Sequence, residues 1–102
     1  MSRVVWILGG DSRNGWAAKY LVAHGVQVHT HGVPDFPDDP LPKSFQEVIL
    51  PFPSFQGALL KGGSAIPVEE LLCRTESGTI VYGGLMKSWK EAINEQGGTV
   101  ID

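Results

Sequence analysis

An open, all-parallel α/β sheet of five strands is the fold class this sequence predicts, and three observations predict it. Short apolar, largely β-branched runs recur at Val4-Val5-Trp6-Ile7-Leu8, Glu47-Val48-Ile49-Leu50 and Thr79-Ile80-Val81-Tyr82, each too brief for a helix. Helix-like stretches lie between such runs and stop at glycine, at Gly25 and at Gly97-Gly98. Two of the runs end directly in paired glycines, Gly9-Gly10 and Gly83-Gly84, where the backbone must turn from strand to helix.

In chain order, the first strand covers Arg3 to Leu8 and the first helix Asn14 to His24, with apolar residues at 17, 18, 21 and 22. Val26 to Thr30 alternates and reads as the second strand. The connection from His31 to Gln46 carries Pro34, Pro37, Pro40 and Pro42, a density that excludes a regular helix. A connection that long should lie over the surface or along a functional edge. The third strand, Glu47 to Leu50, is stopped by Pro51-Phe52-Pro53. Ser54 to Ala65 has no clear period. Pro67 to Cys73 predicts a short helix, with proline at its first position and Glu69 and Glu70 in its first turn. The fourth strand is Thr79 to Tyr82. Met86 to Gln96 is a helix carrying Leu85, Trp89, Ala92 and Ile93 toward one side, and Thr99 to Ile101 is the fifth strand. Such connectivity gives a flavodoxin-like or Rossmann-like sheet of order 2-1-3-4-5, with no helix between the second and third strands. Nothing follows the fifth strand to cover it, so a covering element is expected either beyond Asp102 or from a partner.

The bulk numbers narrow the function classes. At 102 residues the chain makes one domain with one core. Its formal charge of −3 argues against a nucleic-acid surface, while a small anion needs only one or two local cations. A single cysteine, Cys73, rules out an internal disulfide and points to the cytoplasm. No signal-peptide pattern precedes the first strand, and no apolar run approaches the ~20 residues of a membrane span.

Open α/β sheets bind ligands at the carboxyl ends of their strands. The loops that meet there are Gly9 to Arg13, Pro51 to Ser54 and Gly83 to Lys87. The candidate binding residues are therefore Gly10, Asp11, Arg13, Pro51, Ser54 and Gly84. Arg13, at the mouth of the first helix, combines a bidentate fork with the positive end of the helix dipole, which suits a carboxylate or phosphate. Asp11 either caps that helix or orients Arg13. A dinucleotide fingerprint needs G-x-G-x-x-G and an acid some 20 residues on. Here the glycines fall at 9, 10 and 15, and the second strand ends in His29-Thr30-His31, so no cofactor site is expected in this chain. A receiver-domain reading fails for want of an acid cluster after the first strand and an aspartate after the third. His29 and His31 share a strand face but lack a third ligand, so no metal site is assigned. Cys73 reads as a buried apolar residue. Trp6 and Trp89 read as core, and Trp16 is open to either role.

Taken together, Ile7-Leu8-Gly9-Gly10-Asp11-Ser12-Arg13, Ile49-Leu50-Pro51, and Gly83-Gly84 after Ile80-Val81-Tyr82 resemble the N-terminal domain of the NAD(P)-dependent chain of dipicolinate synthase. The resemblance spans the whole chain, except that segments 34–42 and 54–65 do not match. It implies the substrate-side domain of an oxidoreductase that makes dipicolinate for bacterial spores from a small cyclic dicarboxylate of the lysine pathway. NAD(P) would sit on a following Rossmann domain, absent from this chain, so the isolated domain should not turn over. The second, flavoprotein-like chain of the synthase is the implied partner, and a homo-oligomer is left open. In that reading Arg13 pairs with a substrate carboxylate, Asp11 orients it, and Gly10, Pro51, Ser54 and Gly84 shape the pocket. The alternatives are a non-catalytic module that docks on a partner protein and an autonomous nucleotide-binding flavodoxin-like protein.

Overall fold

Val5, Ile7, Val48 and Val81 are fully buried and lie at the centre of a five-stranded, all-parallel sheet. A computed structural model describes residues 3–10, 12–51, 55–56, 59–60, 67–83 and 85–101. The elements are β1 (Val4–Leu8), α1 (Ser12–Ala23), β2 (Gln27–His31), β3 (Glu47–Ile49), β4 (Phe55–Gln56), β5 (Leu59–Leu60), α2 (Val68–Cys73), β6 (Ile80–Tyr82), α3 (Lys87–Glu95) and β7 (Thr99–Ile101). The main sheet has the order β2-β1-β3-β6-β7, which is 2-1-3-4-5 counted over its own strands. The short β4 and β5 form a separate antiparallel pair within the stretch that carries no clear period.

Alternation along β1 divides the core in two. Trp6 and Leu8 join Phe45, Val48, Leu71, Val81 and Ile93 on the face covered by α2 and α3. Val5 and Ile7 join Ala18 and Val33 on the face covered by α1. Burying each such aliphatic side chain contributes roughly 1.5–3 kcal/mol. Gly15 and Ala18 are the buried positions of α1: Ala18 joins Val5 and Ile7 in the core, and a Cβ at Gly15 would stand 3.2 Å from the Phe36 ring, so its small size makes room for the proline-rich connection. The helix begins two residues before the expected Asn14, directly after the glycine turn. It ends as expected: Gly25 has φ 78°, its N–H donates to Val22 O, and Val26 N–H donates to Leu21 O, a Schellman stop. Gly97, with φ 87°, and Gly98 close α3 in the same way, donating to Asn94 O and Ile93 O.

No helix joins β2 to β3 among the described residues. The proline-rich connection wraps around the β2 edge instead. Val33 and Phe36 pack on the α1 face, residues 37–39 run beside β2, and Leu41 and Phe45 enter the opposite core. It thus does the covering that a helix would do. The α1 face is less covered toward β7, where Ile80 and Tyr82 are half-buried and Ile101 is exposed. Cys73 corrects the sequence reading, because it is exposed. In this six-residue helix Leu71 takes the inward position, and two residues further the helix has turned about 200°.

Candidate ligand site at the carboxyl end of the sheet

Beyond β1 the chain turns to the α1 face, while beyond β3 it leads to α2 on the other face. The strand order reverses at this β1/β3 junction, which is where open α/β sheets form a ligand crevice. Two glycines make the turn after β1, with φ 61° at Gly9 and 89° at Gly10. Both values lie in the left-handed region that favours glycine. Space imposes a second restriction at Gly10. A Cβ there would stand 2.7 Å from Asn14 Nδ2 and 3.1 Å from Pro51 Cβ. Gly10 and Pro51, which the sequence places on different loops, are therefore brought into direct apposition.

Arg13 is exposed in the first turn of α1, next to this turn. Asp11, Ser54 and Gly84 lie outside the described residues. Asn14 was not among the sequence-derived candidates. Its Nδ2 donates to Gly9 O at 3.1 Å and, more weakly, to Leu8 O at 3.4 Å. Only the register of β1 against β3 reveals its value, and the spacing of residues carries no sign of it.

Two further polar clusters flank the sheet. At the edge of β2, Asp39 sits between His29 and His31. Its Oδ2 meets His29 Nδ1 at 3.1 Å, and its backbone O meets His31 Nδ1 at 2.8 Å. His29 also stacks on Trp6, with ring centroids 4.9 Å apart. Asp38 accepts from Gly32 N–H at 2.7 Å. The Asp38 and Asp39 carboxylates are thus engaged in holding the connection against β2. Among the described residues no group of three or more His, Cys, Asp or Glu converges for a metal, and no helix is long and apolar enough to cross a membrane.

The second cluster joins Arg3 and Glu47, at the amino-terminal ends of β1 and β3, to Tyr82, the last residue of β6. Arg3 forks onto Glu47 at 2.6 and 2.9 Å, and Tyr82 Oη donates to Glu47 at 3.0 Å. The hydrogen bond from Arg3 holds the Glu47 carboxyl below its ordinary range. Burial first, and then the Glu47 carboxylate, push the Tyr82 hydroxyl up. A cavity of about 330 Å³ opens here between Gln46, Glu47, Glu76 and Ser77. It lies at the end of the sheet opposite the β1/β3 turn.

Fold and site together define an open, parallel α/β domain of strand order 2-1-3-4-5 in which a glycine turn stands against Pro51 at the topological switch point. Comparison with protein-family models, curated proteins and solved structures gave no match for this chain.

Proposed function

We propose that this chain is the substrate-side, N-terminal domain of a dipicolinate synthase-like oxidoreductase, acting on a small cyclic dicarboxylate of the lysine pathway. The observation that carries the reading is the apposition of Gly10 and Pro51 at the β1/β3 junction, with Arg13 on the adjoining helical turn. Gly10 of the Gly-Gly-Asp-Ser-Arg motif and Pro51 of Ile-Leu-Pro, the two motifs of the resemblance, thereby stand against each other. Arg13 binds a substrate carboxylate through its fork, and the Gly9-Gly10 backbone gives the ligand close access. The nicotinamide cofactor belongs to a following domain, the flavoprotein-like chain of the synthase is the partner, and the setting is the cytoplasm.

The test is titration with pyridine-2,6-dicarboxylate, followed by calorimetry or NMR, on the wild type and on Arg13→Lys and Arg13→Ala. A charge-assisted contact is worth roughly 1.5–3 kcal/mol. Arg13→Ala should therefore weaken binding by at least about tenfold. Arg13→Lys should retain part of the affinity, because charge survives and the fork does not. Unchanged affinity in both variants would remove Arg13 from the site. A second reading, a module that docks on another protein, is favoured by the outer side of α1, where Trp16 is 67% and Tyr20 63% exposed.

A further inference from the structure

In β1 the backbone groups alternate in direction. Arg3 O accepts from Gln27 N–H, and Gly9 N–H donates to His31 O, so odd-numbered residues bond toward β2 and even-numbered ones toward β3. The β1–β3 register pairs Trp6 with Val48 and Ile7 with Ile49. One step further, Leu8 faces Leu50. In a parallel ladder a carbonyl accepts from the N–H one residue beyond its partner. The Leu8 carbonyl would accordingly take its hydrogen bond from position 51, and position 51 is proline, which has no N–H.

Leu8 is 1% exposed, and a carbonyl left unsatisfied there would be costly. The Asn14 amide occupies the gap, with Nδ2 3.4 Å from Leu8 O and 3.1 Å from Gly9 O. The same amide crowds the position a Gly10 Cβ would need. Resting on the functional reading above, we propose that Asn14 is a positioning residue of the crevice. It stands in for the N–H that Pro51 lacks and fixes the Gly9-Gly10 turn. Pro51 ends the β1–β3 ladder so that the two strands part at the switch point. Asn14 satisfies the carbonyl this exposes and holds the glycine wall in the shape a ligand meets. Residues 8, 9, 10, 14 and 51 act as one unit.

Three variants test it: Asn14→Ala, Pro51→Ala and the double variant. The readouts are the carbonyl carbon shift of Leu8, amide exchange at Gly9, a thermal melt, and titration with pyridine-2,6-dicarboxylate. Asn14→Ala should move the Leu8 carbonyl shift and speed Gly9 exchange by about tenfold. The double variant should restore the Leu8 shift, because alanine at 51 brings back a backbone donor. That rescue separates a local bonding role from general loss of stability. Ligand affinity should fall about tenfold in Asn14→Ala and stay low in the double variant, since closing the ladder narrows the crevice. A Leu8 shift and Gly9 exchange unaltered by Asn14→Ala, or no rescue by Pro51→Ala, would overturn the assignment. Full affinity in Asn14→Ala would overturn the positioning role. If the wild type itself does not bind, the proposed substrate class fails, while the Leu8 and Gly9 readouts still decide the role of Asn14.

Discussion

The two edges of the sheet are finished in different ways. β2 is closed by polar bonds to a strap. Asp39 N–H donates to Thr30 O at 2.8 Å, Thr30 Oγ1 donates to Pro37 O at 2.7 Å, and the Asp39 carboxylate reaches His29 and the Thr30 N–H. β7 has no such strap among the described residues, and Thr99 and Ile101 are exposed. What fixes β7 is its entry. Gly97 and Gly98 press against Ser77, Thr75 and Ile93 too closely for any side chain. One edge is therefore specified by directional hydrogen bonds and the other by steric fit. An edge covered by prolines and aspartates also offers no template for pairing with another chain.

The largest expected effect breaks the steric edge. A Cβ at position 98 would lie 2.7 Å from Ile93 Cγ2 and 2.9 Å from Thr75 Cγ2. Gly98→Ala should destabilise the domain by about 2–3 kcal/mol, read from chemical denaturation. Breaking the polar edge should cost less, because the Asp39 backbone bonds survive truncation of its side chain. Asp39→Ala should lose about 1–2 kcal/mol, with faster amide exchange at Thr30 as the local sign. An equal or larger loss for Asp39→Ala would reverse the ranking of the two devices.

A smaller effect concerns the ion pair on the half-covered face that leads to β7. Glu47 is held low by Arg3, so its contribution is present above the ordinary carboxylate range and is lost as pH falls through the lowered value. Arg3 is half exposed, and solvent screens the pair. The stability difference between wild type and Glu47→Gln should therefore be modest at neutral pH and shrink on acidification from about pH 5 toward pH 3. A difference that grew with acidification would contradict the pairing. The smallest effect is Ile101→Thr, which should stay within about 0.5 kcal/mol in the same denaturation assay.

The sheet was legible in the sequence because its inner strands are apolar runs ended by glycine or proline and β2 alternates after a glycine stop, and these signals are local. Order 2-1-3-4-5 follows from connectivity. The strap was legible only as a non-helix. Its course around β2 depends on Asp39 meeting two histidines ten and eight residues earlier, a pairing no period announces. Cys73 was misread because chemical type suggests burial, whereas the turn of α2 gives the inward place to Leu71. Of the candidate site, Gly10 and Pro51 were visible as chain punctuation. Asn14 was not, since its value depends on the N–H that Pro51 lacks on another strand.

The strap has a consequence for proton placement. The Asp39 backbone oxygen can only accept, so His31 must carry hydrogen on Nδ1, and an ionised Asp39 carboxylate demands the same of His29. In both neutral rings the lone pair is then left on Nε2. For His29 that atom faces the Gln27 amide nitrogen at 3.1 Å, as an acceptor should. Nitrogen-15 spectra of the two rings would read this tautomer directly, and electrophiles that attack neutral imidazole should modify Nε2 at both positions.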